Sequence, residues 1–245
     1  MSQRQRAAGE IKTVNSLGSL AELDLTHETV DHVLERAARL GLQVLEGWEA
    51  AAGSVVERGK VVSYGVTDER IHEVDQGQYD SGVGPCLDSL RTGVVQYYDG
   101  RDVEARWQTF AETAARHGIH SVLSVPLRYE DETLGALNFY SPKIDALQPG
   151  QREEGFACAA QVSVTITNAR AFADLKQQVA QLEEGLATRT IIGQATGLLM
   201  AQEGLTSEEA FQRLVKISQT ANVKLREIAQ RYVEVWEERA RGSEG

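Results

Sequence analysis

The sequence predicts an α+β domain with helices around an antiparallel sheet, then a coiled-coil helical linker, then a C-terminal all-α domain of three helices. Three observations predict this. Between residues 53 and 140, β-rich runs alternate with glycine-containing and polar turns. From Gln151 to Glu203 the chain is helical in pattern and free of proline. From Thr188 onward, three stretches each repeat apolar residues at helical spacing, enough to share one small core.

In order, residues 1–22 are polar and small and read as a loosely ordered lead-in. From Leu25, the spacing of Val30, Val33, Leu34, Ala37 and Leu40 predicts an amphipathic helix, with Thr26 as N-cap and Gly41 as its end. Two strands follow, 53–57 and 60–64, around a tight turn at Arg58-Gly59. Asp68 to Gln76 is a short helix, broken by Gly82-Val-Gly-Pro85 before a second one from Cys86 to Arg91. Residues 94–98 form a strand, and Glu104 to His117 a helix with Trp107, Phe110, Ala111 and Ala114 on one side, ended by Gly118. Residues 121–129 and 133–140 pair as a hairpin across Glu130-Asp131-Glu132, and a helix opens after Pro149.

Within that helix Phe172, Leu175, Val179, Leu182 and Leu186 are spaced three and four residues apart among polar neighbours, as in a coiled-coil seam. Two readings fit: two parallel chains packed along residues 172–187, or one amphipathic helix lying on its own sheet. The seam begins beyond the residues the α+β core needs, which favours the homodimer. In the final domain Ile191, Ala195, Leu198 and Leu199 mark the first helix, which Gly204 closes. Thr206 and Glu209 form a capping-box pattern ahead of Phe211, Leu214 and Val215, and Asn222 interrupts the second helix. Leu225, Ile228, Ala229, Tyr232, Val233 and Trp236 make the stripe of the third.

A formal net charge of −11 argues against non-specific coating of nucleic acid. Locally the balance reverses: from Arg213 to Arg231 five cations face one acid. Cys86 and Cys158 are too few for a disulfide framework and lack zinc-site spacing, which fits a reducing cytoplasm. No apolar run reaches membrane-spanning length, and no export signal opens the chain. The five histidines have no metal-binding spacing, no nucleophile elbow is present, and no metal or cofactor is expected. Cys86 stands at a predicted helix N-terminus, where the dipole lowers a thiol pKa; the alternative is a small buried residue. Tyr64, Tyr79, Cys86, Tyr97 and Trp107 are candidates to line a small-molecule pocket, with ordinary core packing as the alternative.

The combination of Arg189, Ile192-Gly193-Gln194-Ala195, Gly197, Leu199-Met200, Gly204, Ala210-Phe211, Ser218-Gln219, Asn222-Val223-Lys224-Leu225 and Ala229 resembles the ANTAR domain, the RNA-binding module of bacterial antitermination regulators. Thr196 stands where many members carry lysine. Gly84-Pro85-Cys86-Leu87, the run from Ser121 to Leu127 and the run from Leu134 to Ser141 resemble a GAF domain, and the tandem is similar to actinobacterial regulators. The resemblance implies a GAF sensor domain over residues 23–171, a linker over 172–187 and an ANTAR domain over 188–245. It also implies a cytoplasmic, signal-responsive antitermination regulator that binds hairpin RNA in nascent transcripts, with a small ligand or an upstream signalling protein supplying the signal. Arg189, Gln194, Ala195, Thr196, Gly197, Arg213, Lys216, Ser218, Gln219, Asn222, Lys224 and Arg226 are the candidate RNA-binding residues. Cations would meet phosphates, Gln194, Gln219 and Asn222 would reach unpaired bases, Ala195 and Gly197 would keep the surface flat, and Ser218 or Asn222 could serve only as helix caps. The rival from another class is a GAF-type free methionine sulfoxide reductase that uses Cys86.

Overall fold

A computed structural model describes residues 29–57, 59–101 and 105–242. The lead-in at residues 1–22 and the Thr26 cap lie outside them. The chain divides into two compact units, with the boundary between Ala173 and Asp174.

The first unit contains α1 (Val30–Val44), β1 (Ala50–Glu57), β2 (Lys60–Tyr64), α2 (Arg70–Ser81), α3 (Pro85–Thr92) and β3 (Gln96–Tyr98). A 3₁₀ turn (Ala105–Trp107), α4 (Gln108–Arg116), β4 (Ser121–Tyr129), β5 (Glu132–Ser141) and the start of α5 (Gln151–Glu203) complete it. The strands form one antiparallel sheet in the order β2-β1-β5-β4-β3. Alternation along each strand sends successive side chains to opposite faces, so the sheet has two cores. One packs Val33 and Leu34 of α1 and Cys158, Val162 and Ile166 of α5 against Val55, Leu123, Val125, Leu137 and Phe139. The other packs Ile71 and Val74 of α2 and Phe110 and Ala114 of α4 against Ala50, Ala52, Val122 and Tyr140.

Several boundaries differ from the sequence reading, among them the helix expected over Asp68–Gln76, which is Arg70–Ser81, and the strand expected over 94–98, which is Gln96–Tyr98; three others have identifiable reasons. Gly41 does not end α1, which runs on to Val44; a Cβ at Gly41 would lie 2.6 Å from the Phe139 ring, so glycine is there for close packing. Strand β1 begins at Ala50, because pairing of Ala50, Ala51 and Ala52 with Tyr140, Phe139 and Asn138 imposes extended structure on residues of low β-propensity. The hairpin turn is only Glu130-Asp131, since Glu132 pairs with Tyr129 and Glu130 takes a positive φ of 52°.

The second unit consists of the later part of α5, α6 (Ser207–Ala221) and α7 (Leu225–Gly242). Ala195, Leu199, Ala210, Leu214, Ala229 and Val233 form its buried core, with Ile191, Ile192, Leu205, Ile228 and Tyr232 packed around them. The capping box is made in full: the Glu209 amide donates to the Thr206 hydroxyl, and the Thr206 amide donates to the Glu209 carboxylate. The Thr206 amide, and after it the Thr206 hydroxyl, hold that carboxyl below its ordinary pKa. Asn222, at φ 53°, ends α6 in the left-handed conformation that asparagine tolerates.

Candidate nucleic-acid interface and the polar interior of the first unit

The candidate RNA residues do not share one environment, and Arg226 is half-buried. Arg189, Gln194 and Gly197 on α5, Arg213, Lys216 and Gln219 on α6, and Asn222 and Lys224 between α6 and α7 are exposed. Ala195 and Thr196 are buried, at 0% and 7% exposure, and so face the helical core instead of an open surface. The Thr196 hydroxyl donates to the Ile192 carbonyl 2.7 Å away, turning back onto its own helix. Ser218 and Asn222 are capping residues, since the Ser218 hydroxyl donates to the Val223 carbonyl and Asn222 is the C-cap.

Nor do the cations make one patch. Arg213 and Lys216 line a recess with Ile217 and Thr220 on α6. Arg226 and Arg231 line a different groove, of about 480 Å³, between α5 and α7. Arg226 pairs with Glu184 and Arg213 with Glu203, whereas Lys216 and Lys224 make no ion pair among the described residues. Arg213 and Lys216 therefore share one recess, and Arg226 and Arg231 another.

In the first unit the five residues expected to line one pocket are not together. Tyr64 and Tyr97 pack on the α1–α5 face, Tyr97 edge-on to Trp48 with ring centroids 6.5 Å apart. Tyr79, Cys86 and Trp107 lie on the opposite face; the Trp107 indole donates to Asp88 at 2.8 Å. Consecutive strand residues such as Tyr97 and Tyr98 must point to opposite faces, so aromatic content along a strand does not gather into a site.

The α2–α3 side holds instead a buried polar network whose key members the sequence reading missed. Asp75 accepts from the Tyr140 hydroxyl at 2.5 Å, from Ser63 at 2.7 Å and from Gln78 at 2.9 Å. With Asp75 ionised, Ser63 donates to it, Tyr79 to Ser63, Ser54 to Tyr79 and Asn138 Nδ2 to Ser54, which gives the chain across β5, β1, α2 and β2 one polarity. Burial pushes the Asp75 carboxyl up, against the lowering effect of its three donors. The signal available in sequence was a polar residue inside an apolar strand, Asn138 in Leu-Asn-Phe.

Cys86 belongs to this interior, with its amide donating to Gln78 Oε1 and its sulfur accepting from Asn138 at 3.4 Å. Burial, then the Asp75 charge, pushes its thiol up to about 12, so desolvation outweighs any helix-dipole effect. Cys158 is likewise pushed up to about 12 by burial, and it packs on the other face of the sheet. An attacking and a resolving thiol do not meet in this arrangement.

A sheet with helices on both faces, followed by three helices on a separate core, is the arrangement on which the comparisons with known proteins bear. The GAF domain model matches residues 27–167, more than half of the chain, and the ANTAR domain model matches residues 180–233. The chain belongs to the GAF family and carries an ANTAR domain. Comparison with the curated proteins gave no match. Among solved structures the GAF domain is similar to free methionine-R-sulfoxide reductase from Neisseria meningitidis in complex with its substrate, at 13% identity and TM-score 0.53 over 70% of this chain and 95% of that one. It is also similar to a domain described as part of a two-component sensor histidine kinase protein of Sinorhizobium meliloti, at 14% identity and TM-score 0.51 over 61% and 99%. A third is fRMsr of Staphylococcus aureus in reduced form, at 12% identity and TM-score 0.50 over 64% and 94%. At such identities the likeness shows the fold alone. No helix among the described residues is long and apolar enough to cross a membrane.

Proposed function

We propose that the protein is a homodimeric, signal-responsive antitermination regulator, in which the GAF domain reads a signal and the ANTAR domain binds hairpin RNA in nascent transcripts. Binding would stabilise an antiterminator hairpin and let polymerase proceed. The observation that carries the reading is the tandem of the two domains on one unbroken helix. Helix α5 gives Cys158, Val162 and Ile166 to the GAF core and Ala195 and Leu199 to the ANTAR core. On the same helix Phe172, Leu175, Val179, Leu182 and Leu186 are exposed, by 39% at Phe172 and 68% at Leu182. Such an apolar stripe at three–four spacing is the surface that a second copy covers in a two-stranded coiled coil. The candidate RNA contacts are the exposed cations, of which Arg189, Lys216 and Lys224 make no ion pair among the described residues.

The direct test is to cross-link the protein to total transcripts, recover and sequence the bound RNA, and measure affinity for those hairpins as salt varies. Lys216→Ala together with Arg226→Ala should weaken binding and lower the slope of log affinity against log salt by about one for each phosphate left without its cation. Unchanged affinity and slope would remove this surface from the reading. Preference for duplex DNA over hairpin RNA would overturn the output itself.

A further inference from the structure

The Arg226 guanidinium, a candidate phosphate contact, is already occupied in the ANTAR domain. Its Nη1 pairs with Oε1 of Glu184 on α5, and both side chains line the groove between α5 and α7. Glu184 sits between Leu182 and Leu186 of the exposed apolar stripe, upstream of the first residue packed on the ANTAR core, Ile191. The groove's charged lining is Glu184, Glu227 and Glu234 against Arg226 and Arg231. With Glu184 in place the acids outnumber the cations, so the groove does not attract a polyanion; with Glu184 withdrawn the two signs balance and one guanidinium is free. The first ANTAR helix supplies the acid at its other end too, where Glu203 lies 3.3 Å from Arg213.

We propose that Glu184 is an internal competitor of RNA phosphate for Arg226, so that hairpin binding exchanges this carboxylate for a phosphate and unlinks Glu184 from α7. The inference rests on the RNA-binding reading and adds a point of regulation to it. Both residues are partly exposed, with side chains 42% and 65% accessible, so the exchange is a modest free-energy term and tunes affinity without abolishing it. Linkage makes the effect reciprocal: whatever draws Glu184 away from Arg226 raises affinity for RNA, and RNA in turn favours that rearrangement by the same factor. The stripe flanking Glu184 is the surface through which such a change would pass.

A double-mutant cycle on the full chain tests this, using hairpin RNA recovered by cross-linking to the wild type. Glu184→Gln should tighten binding about 2- to 5-fold, the size that removal of one exposed ion pair allows. The gain should vanish in the Arg226→Ala background. Glu183→Gln, which removes an exposed acid one residue away, should give less than half the gain. Sedimentation in the same buffer should return the same mass for every variant. No gain from Glu184→Gln, an equal gain with Arg226→Ala present, an equal gain from Glu183→Gln, or a gain accompanied by a change in mass would each overturn the proposal. If the wild type binds no hairpin, the RNA-binding reading fails and the competitor falls with it; if it binds and the cycle is flat, only the competitor fails.

Discussion

At Asp75 the competing effects are three hydrogen-bond donors, which favour the ionised carboxyl, and complete burial, which favours the neutral one; burial wins and the folded-state pKa lies above its ordinary value of 3.8. A raised folded-state pKa means that the stability Asp75 contributes is fully present below that ordinary value and is lost as pH rises toward and through the folded-state value. Asp75→Asn cannot titrate, and its amide would turn a donor toward a donor. It should therefore melt below wild type at pH 4, with a deficit that shrinks by pH 8. A deficit that stays constant or grows across that range would show the shift to have the wrong sign. The two thiols give a second residue-scale test. With both pushed up to about 12, the thiolate fraction at pH 8 is on the order of 10⁻⁴. Neither Cys86 nor Cys158 should react with a disulfide reagent until the protein is denatured, and wild-type protein with a thiol reductant should show no methionine sulfoxide turnover. Robust turnover abolished by Cys86→Ser would restore the reductase reading.

The elements that were legible are those whose residues act on their own neighbours. The Thr206 capping box is local chemistry over four residues, and the structure makes both of its bonds. Thr206→Ala should cost about 1 kcal/mol of ANTAR stability, measured by denaturant melts; a change near zero would mean that the α6 terminus frays already. The α5 helix was legible from Gln151 to Glu203 because nothing in its pattern breaks it. Its exposed stripe carries the dimer proposal. Val179→Lys with Leu182→Lys puts like charges into the seam, which is costly if the seam is buried between two chains. The variant should shift toward monomer and lose roughly 10²- to 10⁴-fold in avidity for RNA with paired hairpins, while keeping weak affinity for a single hairpin. A variant that stays dimeric and still discriminates paired from single hairpins would place the dimer contact in the GAF domain.

At the scale of the whole molecule, two units with separate cores should answer separately to core damage. Leu199 is 1% exposed within the ANTAR core, so Leu199→Ala should cost that domain about 2–5 kcal/mol and lower one thermal transition, leaving the GAF transition in place. A single transition shifted as a whole would show the two to be one cooperative unit. The order of elements, the three ANTAR helices and the α+β class of the GAF domain can be read along the chain, because helical period, strand alternation and turn chemistry act over a few residues. Which side chains share a face was set by long-range packing. Tyr64 and Tyr97 went to one side of the sheet and Tyr79, Cys86 and Trp107 to the other. Ser54, Ser63, Asp75, Asn138 and Tyr140 converged from separate elements, and Thr196 turned inward. Arg226 on α7 met Glu184 on α5. Those outcomes depend on strand order, register and helix packing, which bring together residues far apart in the chain, and no local pattern encodes the distance between them.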